Sequence, residues 1–209
     1  MWAPKIHGFA ACLHPPRPGP LRVLYVGNYV PLHGVPIILQ AARLLQGEEI
    51  EFWLIGENHR AAPGLTDRLR NSDSGRVKFF PWMPPQELRD RVIEADVCLG
   101  IFGTSDKAKR VIPGKAFLAL AIGKPLITGD SPAAQQLLDN GRNAILCEMG
   151  SADALVDAIR RLKRDRLLRQ RIGEEGRKLF QNQCRPEVLG LRLAHIIQAT
   201  LDQKGIAAH

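Results

Sequence analysis

The sequence predicts a single α/β domain in which a parallel sheet is covered by helices on both faces. Six short apolar segments of strand length alternate with segments whose apolar residues recur at helical spacing. The chain has 209 residues, 45% of them hydrophobic, which is enough for one compact core without disulfides. Alternating strands and helices imply right-handed crossovers between parallel strands. The expected fold is therefore Rossmann-like and doubly wound.

The predicted elements follow one another along the chain without a long gap. The strands are Leu21–Val26, Ile50–Ile55, Val77–Phe80, Val97–Ile101, Pro125–Thr128 and Ala144–Cys147. The helices that follow them contain Val35–Leu45, Leu65–Leu69, Leu88–Ile93, Ala116–Ala121, Ala133–Leu138 and Ala152–Leu162. Helical periodicity continues from Leu167 to Leu201. We expect a break near Pro186, because proline ends one helix and can begin the next.

These elements place the domain at residues 21–182, after a proline-rich arm at 1–20 and before a C-terminal helix and tail at 183–209. The arm lacks the apolar core of a signal peptide, and no segment of the chain approaches the ~18 apolar residues of a transmembrane helix. Cys98 and Cys147 lie in predicted strands, which indicates buried thiols in a reducing compartment. We therefore expect a cytoplasmic protein.

The net charge of +8 is concentrated near the C-terminus, where residues 160–178 carry nine Lys or Arg against three Asp or Glu. A solvated helix face accounts for this segment. Attraction to the anionic inner face of a membrane is the functional alternative. Nucleic acid is not an expected partner, because aromatic residues are few there and no nucleic-acid-binding motif is present.

Ligand-binding residues are expected in the loops after the strands, since ligands of doubly wound folds lie at the carboxyl edge of the sheet. The first strand ends at Gly27-Asn28 and leads through His33-Gly34 into a helix. A glycine lets a ligand approach the backbone, and a helix N-terminus offers N–H groups to phosphate. An ordinary strand-to-helix turn explains these residues equally well.

The next two strands deliver further candidates to the same edge. The second strand ends at Gly56-Glu57, and the third is followed by Trp82. The rings of Trp82 and Phe80 would suit a nucleobase slot. Core or hinge packing explains each ring as well.

The loop after the fourth strand contains the most informative pattern. A Gly/Ser turn is followed by three cations within four residues and by a proline where a helix would start. The candidate residues are Phe102, Gly103, Ser105, Lys107, Lys109, Arg110, Val111, Ile112, Pro113, Gly114 and Lys115. The pattern predicts an anion cradle of helix N-terminal amides and cations, which suits a diphosphate where no metal is held. An exposed basic loop is the alternative. Catalytic carboxylate pairs, nucleophile triads and metal-ligand spacings are absent from the sequence, so the catalytic residues stay unknown.

The order of these motifs resembles the C-terminal, donor-binding domain of group 1 GT-B glycosyltransferases. The resemblance covers residues 21–165, and its most specific segments are EADV and ALAIGKPLIT. It implies a Rossmann-like domain that binds a UDP-sugar or a GDP-sugar without a required metal or other cofactor. It also implies transfer with retention at the anomeric carbon, to a saccharide or lipid-linked acceptor in polysaccharide assembly.

The resemblance also marks where this chain departs from the family. A basic pair that grips the diphosphate in the family corresponds to Asn28 and His33. Two glutamates that contact the donor sugar and the ribose correspond to Arg110 and Leu118. Neither replacement offers a carboxylate to hydroxyl groups. The family's N-terminal, acceptor-binding domain has no counterpart here, which implies such a domain, or a partner chain, as the partner.

Three functions follow from these observations. The first is the donor-binding half of a glycosyltransferase of the hexosyltransferase type. The second is a non-catalytic interaction module that keeps the fold and has lost the activity. The third is half of a sugar epimerase with a GT-B-like fold, which would need a catalytic carboxylate that the sequence does not show.

Overall fold

The computed structural model describes residues 18–56 and 76–203, and it confirms the predicted fold class. Within these residues one parallel sheet has six strands in the order β3-β2-β1-β4-β5-β6. They are β1 (Leu21–Val26), β2 (Ile50–Ile55), β3 (Val77–Phe80), β4 (Val97–Leu99), β5 (Leu126–Gly129) and β6 (Ile145–Cys147). The chain returns across β1 to reach β4, so the strand order reverses between these two strands.

The helices lie on both faces of the sheet. They are α1 (Val35–Leu44), α2 (Pro85–Glu94), α3 (Asp106–Lys109), α4 (Gly114–Ile122), α5 (Pro132–Gln135), α6 (Ala152–Arg164), α7 (Arg166–Leu179) and α8 (Pro186–Gln203). A 3₁₀ turn at Pro31–His33 precedes α1, and a π-helical turn at Phe180–Cys184 follows α7.

Two hydrophobic clusters, one on each face, form the core. Val23 and Tyr25 of β1 belong to the cluster that contains the buried residues of α1 and α6. Leu24 of the same strand belongs to the cluster with α2, α4 and Phe180. This alternation is the two-residue period of a strand that is buried on both faces, and it explains why the strands are almost continuously apolar.

Two predicted elements end at least two residues later than those in the structure. β4 ends at Leu99 and not at Ile101, because Phe102 turns out of the sheet and donates its N–H to the carbonyl of His33 at 3.1 Å. α5 ends at Gln135 and not at Leu138, since a turn closed by the Asn143 side chain, which accepts from the Asp139 N–H at 2.8 Å, follows it.

The predicted break near Pro186 is confirmed, because α8 begins at that residue. The core continues past residue 182, where the predicted domain ends, since Phe180 and Cys184 of the π-helical turn are both buried. Beyond Cys184 the side chains of α8 are mostly exposed. The Leu65–Leu69 helix, Glu57, residues 1–17 of the arm and residues 204–209 lie outside the described residues.

The basic segment at 160–178 is partly neutralised by ion pairs. Arg160 and Lys163 both contact the carboxylate of Glu48, at 2.8 Å and 3.0 Å, and Lys178 contacts Glu175 at 2.6 Å. The surplus charge that the sequence shows is therefore larger than the charge free to attract a partner. Across the described ranges, no helix combines the length and apolar character needed to cross a bilayer. Cys98 and Cys147 are buried free thiols, as predicted.

Candidate functional site

The candidate site lies at the carboxyl edge of the sheet, where β1 and β4 are neighbours. The loops after these strands are joined by the hydrogen bond from Phe102 to His33, and Gly150, after β6, donates to the carbonyl of Phe102 at 2.9 Å. Gly34 has φ 69°, and a Cβ there would lie 2.6 Å from the N atom of Gly103. A side chain at position 34 would therefore be strained and would separate the two loops. Gly34 and Gly103 thus shape the site through close backbone packing.

Lys115 places a buried basic group at this edge of the sheet. It occupies the first turn of α4, and its ammonium lies 4.1 Å from the ring centre of Tyr25. The Nζ atom is buried and has no hydrogen-bond partner among the described residues. Burial lowers the pKa of Lys115 from the ordinary 10.5 to about 7, because a low-dielectric surrounding disfavours the charged form. The fold therefore holds a buried basic group whose charge an anion would stabilise.

Gly27 makes room for this lysine. It directly follows β1 with φ 145°, and a Cβ there would lie 2.7 Å from Lys115 Nζ. Gly56 occupies the corresponding place after β2, where a Cβ would collide with the carbonyl of Gly27. Both predicted glycines are thus sites of close approach, and at Gly27 the approaching group is the lysine ammonium.

Tyr25, Asn28 and His33 form a hydrogen-bonded group beside the lysine. The Tyr25 hydroxyl donates to the backbone carbonyl of Asn28 at 2.8 Å and lies 2.8 Å from Nδ1 of His33. The same carbonyl lies 2.6 Å from Nδ1, which favours the tautomer with the hydrogen on Nδ1, because a carbonyl only accepts. Burial, and next the charge of Lys115, lower the pKa of His33, against a raising contribution from the Asn28 carbonyl.

The N-terminus of α4 adds backbone donors to the site. The helix has nine residues, its N-cap is Pro113, and no side chain caps it. Gly114 is exposed, and no atom lies within 4 Å of where its Cβ would be. The first N–H groups of α4 therefore stay open to an anion next to Lys115, and the helix dipole favours negative charge there.

The other predicted cations differ from Lys115 in their surroundings. Lys107, Lys109 and Arg110 are exposed on or just after the short helix α3. Lys109 Nζ lies 3.8 Å from the Asp106 carboxylate, and the Arg110 side chain donates to the Asp106 carbonyl at 3.1 Å. Ser105 caps α3 by accepting from the Ala108 N–H at 3.3 Å. The sequence grouped these cations with Lys115, but the structure leaves all three exposed and gives Lys109 and Arg110 local partners.

Several predicted residues are not brought into the β1–β4 crevice. The Phe102 ring is fully buried in the core, so it supports the loop and is not free to contact a ligand. Trp82 is 42% exposed after the edge strand β3, which β2 separates from β1 by roughly 10 Å. Phe80 instead packs edge-on against the Trp53 ring, with centroids 6.0 Å apart.

The remaining predicted residues lie between α3 and α4 or within α4. Val111, Ile112 and Pro113 are half-buried and lead into α4. Leu118 is half-buried against the cluster of α2 and α4, an apolar surrounding that suits a leucine and not a carboxylate. The sequence did not single out Tyr25. Its one signal was a hydroxyl-bearing ring in a largely apolar strand that ends at the predicted site.

The described residues contain no group of three or more His, Cys, Asp or Glu side chains placed to bind one metal ion. The cations and open amides of the site instead suit an anion. Metal independence itself stays a prediction.

Comparisons with known proteins agree with the resemblance found in the sequence. A family model described as "Glycosyl transferases group 1" matches residues 20–165. The amylovoran biosynthesis glycosyltransferase AmsK of Erwinia amylovora is 27% identical over 146 residues, which are 68% of this chain and 36% of that protein. The lipopolysaccharide core biosynthesis glycosyltransferase LpsE of Rhizobium meliloti is 26% identical over 186 residues, which are 86% of this chain and 50% of that protein. The chain thus spans half or less of the length of these relatives.

Solved structures show the same fold. The C-terminal domain of a group 1 glycosyltransferase, LpcC of Francisella tularensis, has a TM-score of 0.70 at 18% identity, covering 81% of this chain and 88% of that one. HepE of Anabaena, solved in complex with UDP, has a TM-score of 0.74 at 17% identity, covering 87% of this chain and 49% of that one. At these identities the structures establish the fold and leave the ligand of this chain to be argued from its own residues.

Proposed function

Since the chain belongs to the group 1 glycosyltransferase family, we propose that it is the donor-binding half of a glycosyltransferase that takes a sugar from a nucleoside diphosphate. One observation carries the proposal: the Lys115 ammonium is buried at the β1–β4 edge, beside the uncapped N-terminus of α4, and has no hydrogen-bond partner among the residues that the structure describes. An unpaired buried cation is costly, and a phosphate group would offset that cost.

The diphosphate would lie against the first turn of α4. The N–H groups of Gly114 and Lys115, the Lys115 ammonium and His33 supply its donors. HepE, with the same fold, was solved with UDP, with UDP and glucose, and with UDP-glucose, which supports this choice of ligand class. The base, UDP or GDP, and the sugar stay open.

These groups would also assist the chemistry. Transfer breaks the bond between the anomeric carbon and a phosphate oxygen, and the electron pair leaves with the diphosphate. Fixed amides and a cation that are already in place stabilise the negative charge that develops there. Retention of the anomeric configuration and a hexose as the donor sugar belong to this proposal through the family alone.

The donor sugar and the ribose would be held differently from the family pattern. Arg110 is exposed and Leu118 is half-buried among apolar residues, so neither accepts hydrogen bonds from hydroxyl groups. This observation favours the second candidate function, a non-catalytic module that keeps the fold. Measured transfer of sugar to any saccharide or lipid acceptor would exclude that candidate.

We further propose that transfer needs an acceptor-binding domain, on the same polypeptide or on a partner chain, and that α8 contacts it. Leu189, Leu193 and Ile196 of α8 share one helix face and are 50%, 58% and 61% exposed, and an exposed aliphatic helix face of this kind marks a contact surface. Replacing Leu193 and Ile196 with Asp should abolish transfer by the complete enzyme while nucleotide binding is unchanged. Unchanged transfer would remove α8 from the interface.

For localisation, we propose that the turn between α6 and α7 contacts a membrane surface. Leu167 is 79% exposed there and directly follows Arg166. Arg164 and Arg166 form no salt bridge within the described ranges. Each cation near an anionic surface contributes about 1 kcal/mol. Co-sedimentation with anionic vesicles but not with neutral ones, lost on replacing both arginines with Glu, is the expected result. Equal binding to neutral vesicles would contradict it.

The first test of the proposed function is calorimetric titration of the chain with UDP, GDP and their sugar conjugates, without added metal. Binding of one nucleotide would support the donor-binding role and identify the base. Absence of binding, with a candidate acceptor domain present as well, would overturn it.

A further inference from the structure

Tyr25 occupies an unusual place for a polar side chain. It is fully buried in β1, a central strand of the sheet, and directs its hydroxyl toward the loop after that strand. Burial raises the pKa of this hydroxyl far above its ordinary value. The group therefore keeps its proton and acts as a donor at every physiological pH.

The ring and the hydroxyl of Tyr25 contact the two basic side chains of the site separately. The ring face lies below the Lys115 ammonium at 4.1 Å, within the range of a cation–π interaction. The hydroxyl shares the Asn28 carbonyl with Nδ1 of His33. One buried residue thus fixes the position of both groups that would face an anion.

The hydrogen bonds around Asn28 also favour one tautomer of His33. In the tautomer in which Nδ1–H donates to the carbonyl at 2.6 Å, neutral His33 carries its lone pair on Nε2. Nε2 makes no hydrogen bond with the residues that the structure describes. A proton added to Nε2 turns it into a second cationic donor beside Lys115.

We propose that Tyr25 is a positioning residue of the anion site, which holds Lys115 through its ring and orients His33 through the Asn28 carbonyl so that Nε2 is left for the ligand. This inference rests on the proposed function. It adds to that function a residue, Tyr25, that contacts no ligand itself and acts through Lys115 and His33. His33 and Lys115 are the two charged groups that face each other across the site. No acidic side chain within the described ranges forms a salt bridge with either one.

Replacing Tyr25 with Phe tests the hydroxyl and keeps the ring. In the unliganded chain, ¹⁵N NMR of the His33 ring should show mainly the Nδ1–H tautomer in the wild type and a mixture of tautomers in Tyr25→Phe, because without the Tyr25 hydroxyl the Asn28 carbonyl is free to turn away from Nδ1. This measurement involves no nucleotide, so it stands even if the proposed function fails. An unchanged tautomer would overturn the proposal.

A double-mutant cycle provides the second test. Tyr25→Phe should weaken the binding of pyrophosphate, UDP or GDP by about two- to tenfold, the scale of one neutral hydrogen bond. The same change in a His33→Ala background should have no further effect, because Tyr25 acts through His33. An equal loss in both backgrounds would mean that the hydroxyl has a structural role only, and would overturn the proposal.

Tyr29→Phe is the matched control. Tyr29 is also buried at this edge, its ring centre lies 6.3 Å from that of Tyr25, and its hydroxyl donates to the Leu54 carbonyl at 3.5 Å. We expect it to leave the His33 tautomer unchanged. A tautomer shift of equal size in this control would overturn a role specific to Tyr25.

Discussion

The loop after β4 and the helix that follows it carry two kinds of cation, and they differ in what surrounds them. Lys107, Lys109 and Arg110 are exposed on or just after α3, and the last two contact Asp106. Lys115, in the first turn of α4, is buried over the ring of Tyr25 and has no hydrogen-bond partner in the described part of the chain. The sequence presents all four as one basic cluster.

The two kinds of cation differ in how much free energy the folded chain loses by holding them. An exposed cation is solvated by water and its contacts contribute little. A buried cation loses that solvation, and such a group is retained mainly where a ligand or partner completes its surroundings. On the proposed function, the anion-binding role therefore falls to Lys115, and the residues around α3 have a minor electrostatic role.

Lys115→Met should give the largest effect on ligand binding. Methionine keeps much of the volume and removes the charge, so the affinity for nucleoside diphosphate should fall by about ten- to a hundredfold, the scale of a charged hydrogen bond. The free energy of unfolding of the unliganded chain should rise by about 1 kcal/mol or more, because a buried unpaired charge is removed. Calorimetric titration and urea denaturation measure the two effects. A variant that is less stable and binds normally would contradict the comparison.

The affinity should also depend on pH through Lys115. Its pKa in the folded chain is about 7, so above pH 7 the unliganded lysine is mostly neutral and must take up a proton to bind an anion. Affinity should fall by up to about tenfold per pH unit above 7, until the pKa of the bound state is reached. Titrations in buffers of different ionisation enthalpy measure the proton uptake. In Lys115→Met this component should disappear.

The pH dependence of stability has the opposite sign to the pH dependence of affinity. Between about pH 7 and the ordinary lysine pKa of 10.5, the unfolded chain binds a proton that the folded chain does not. The contribution of Lys115 to the free energy of unfolding therefore rises with pH across this window. Urea denaturation at pH 7 and pH 9 should show a rise in the wild type that exceeds the rise in Lys115→Met.

Gly34→Ala should test the contact between the two loops of the site. The new Cβ would meet the backbone of Gly103 at 2.6 Å with φ at 69°, so we expect a loss of about 1–3 kcal/mol in stability. Gly47→Ala is the control, because it has φ 90° and nothing within 4 Å. Position 47 has a positive φ like position 34, but a Cβ there would contact no neighbouring loop. An equal loss in both variants would mean that the loop contact contributes nothing.

The sequence predicted the fold well because each strand and helix has its own periodicity. All six strands were placed to within two residues at each end, and the order of units along the chain implied the parallel sheet. The misplaced ends, at Ile101 and Leu138, depend on hydrogen bonds to His33 and Asn143. Those partners are distant in the sequence or belong to an irregular turn, and no local pattern reports them.

The site was predicted less completely for a related reason. The glycines and Lys115 follow strands or begin helices, so their positions were evident from the order of elements. Burial was not evident: nothing in the sequence separates Lys115 from Lys109, or shows that Phe102 lies in the core. Tyr25 was missed because its role depends on a carbonyl three residues away and on a lysine that reaches it from another helix.

The smallest expected effect comes from the exposed cations. Replacing Lys107, Lys109 and Arg110 together with Met, the same change as at Lys115, should weaken nucleotide binding by about two- to threefold. The contribution is a screened one, since exposed charges act through water and salt. The residual effect should vanish at about 0.5 M salt, whereas the loss in Lys115→Met should persist because water and ions are excluded around a buried group. If the triple variant loses as much affinity as Lys115→Met, then the diphosphate is held by the loop around α3, and the buried lysine serves another purpose.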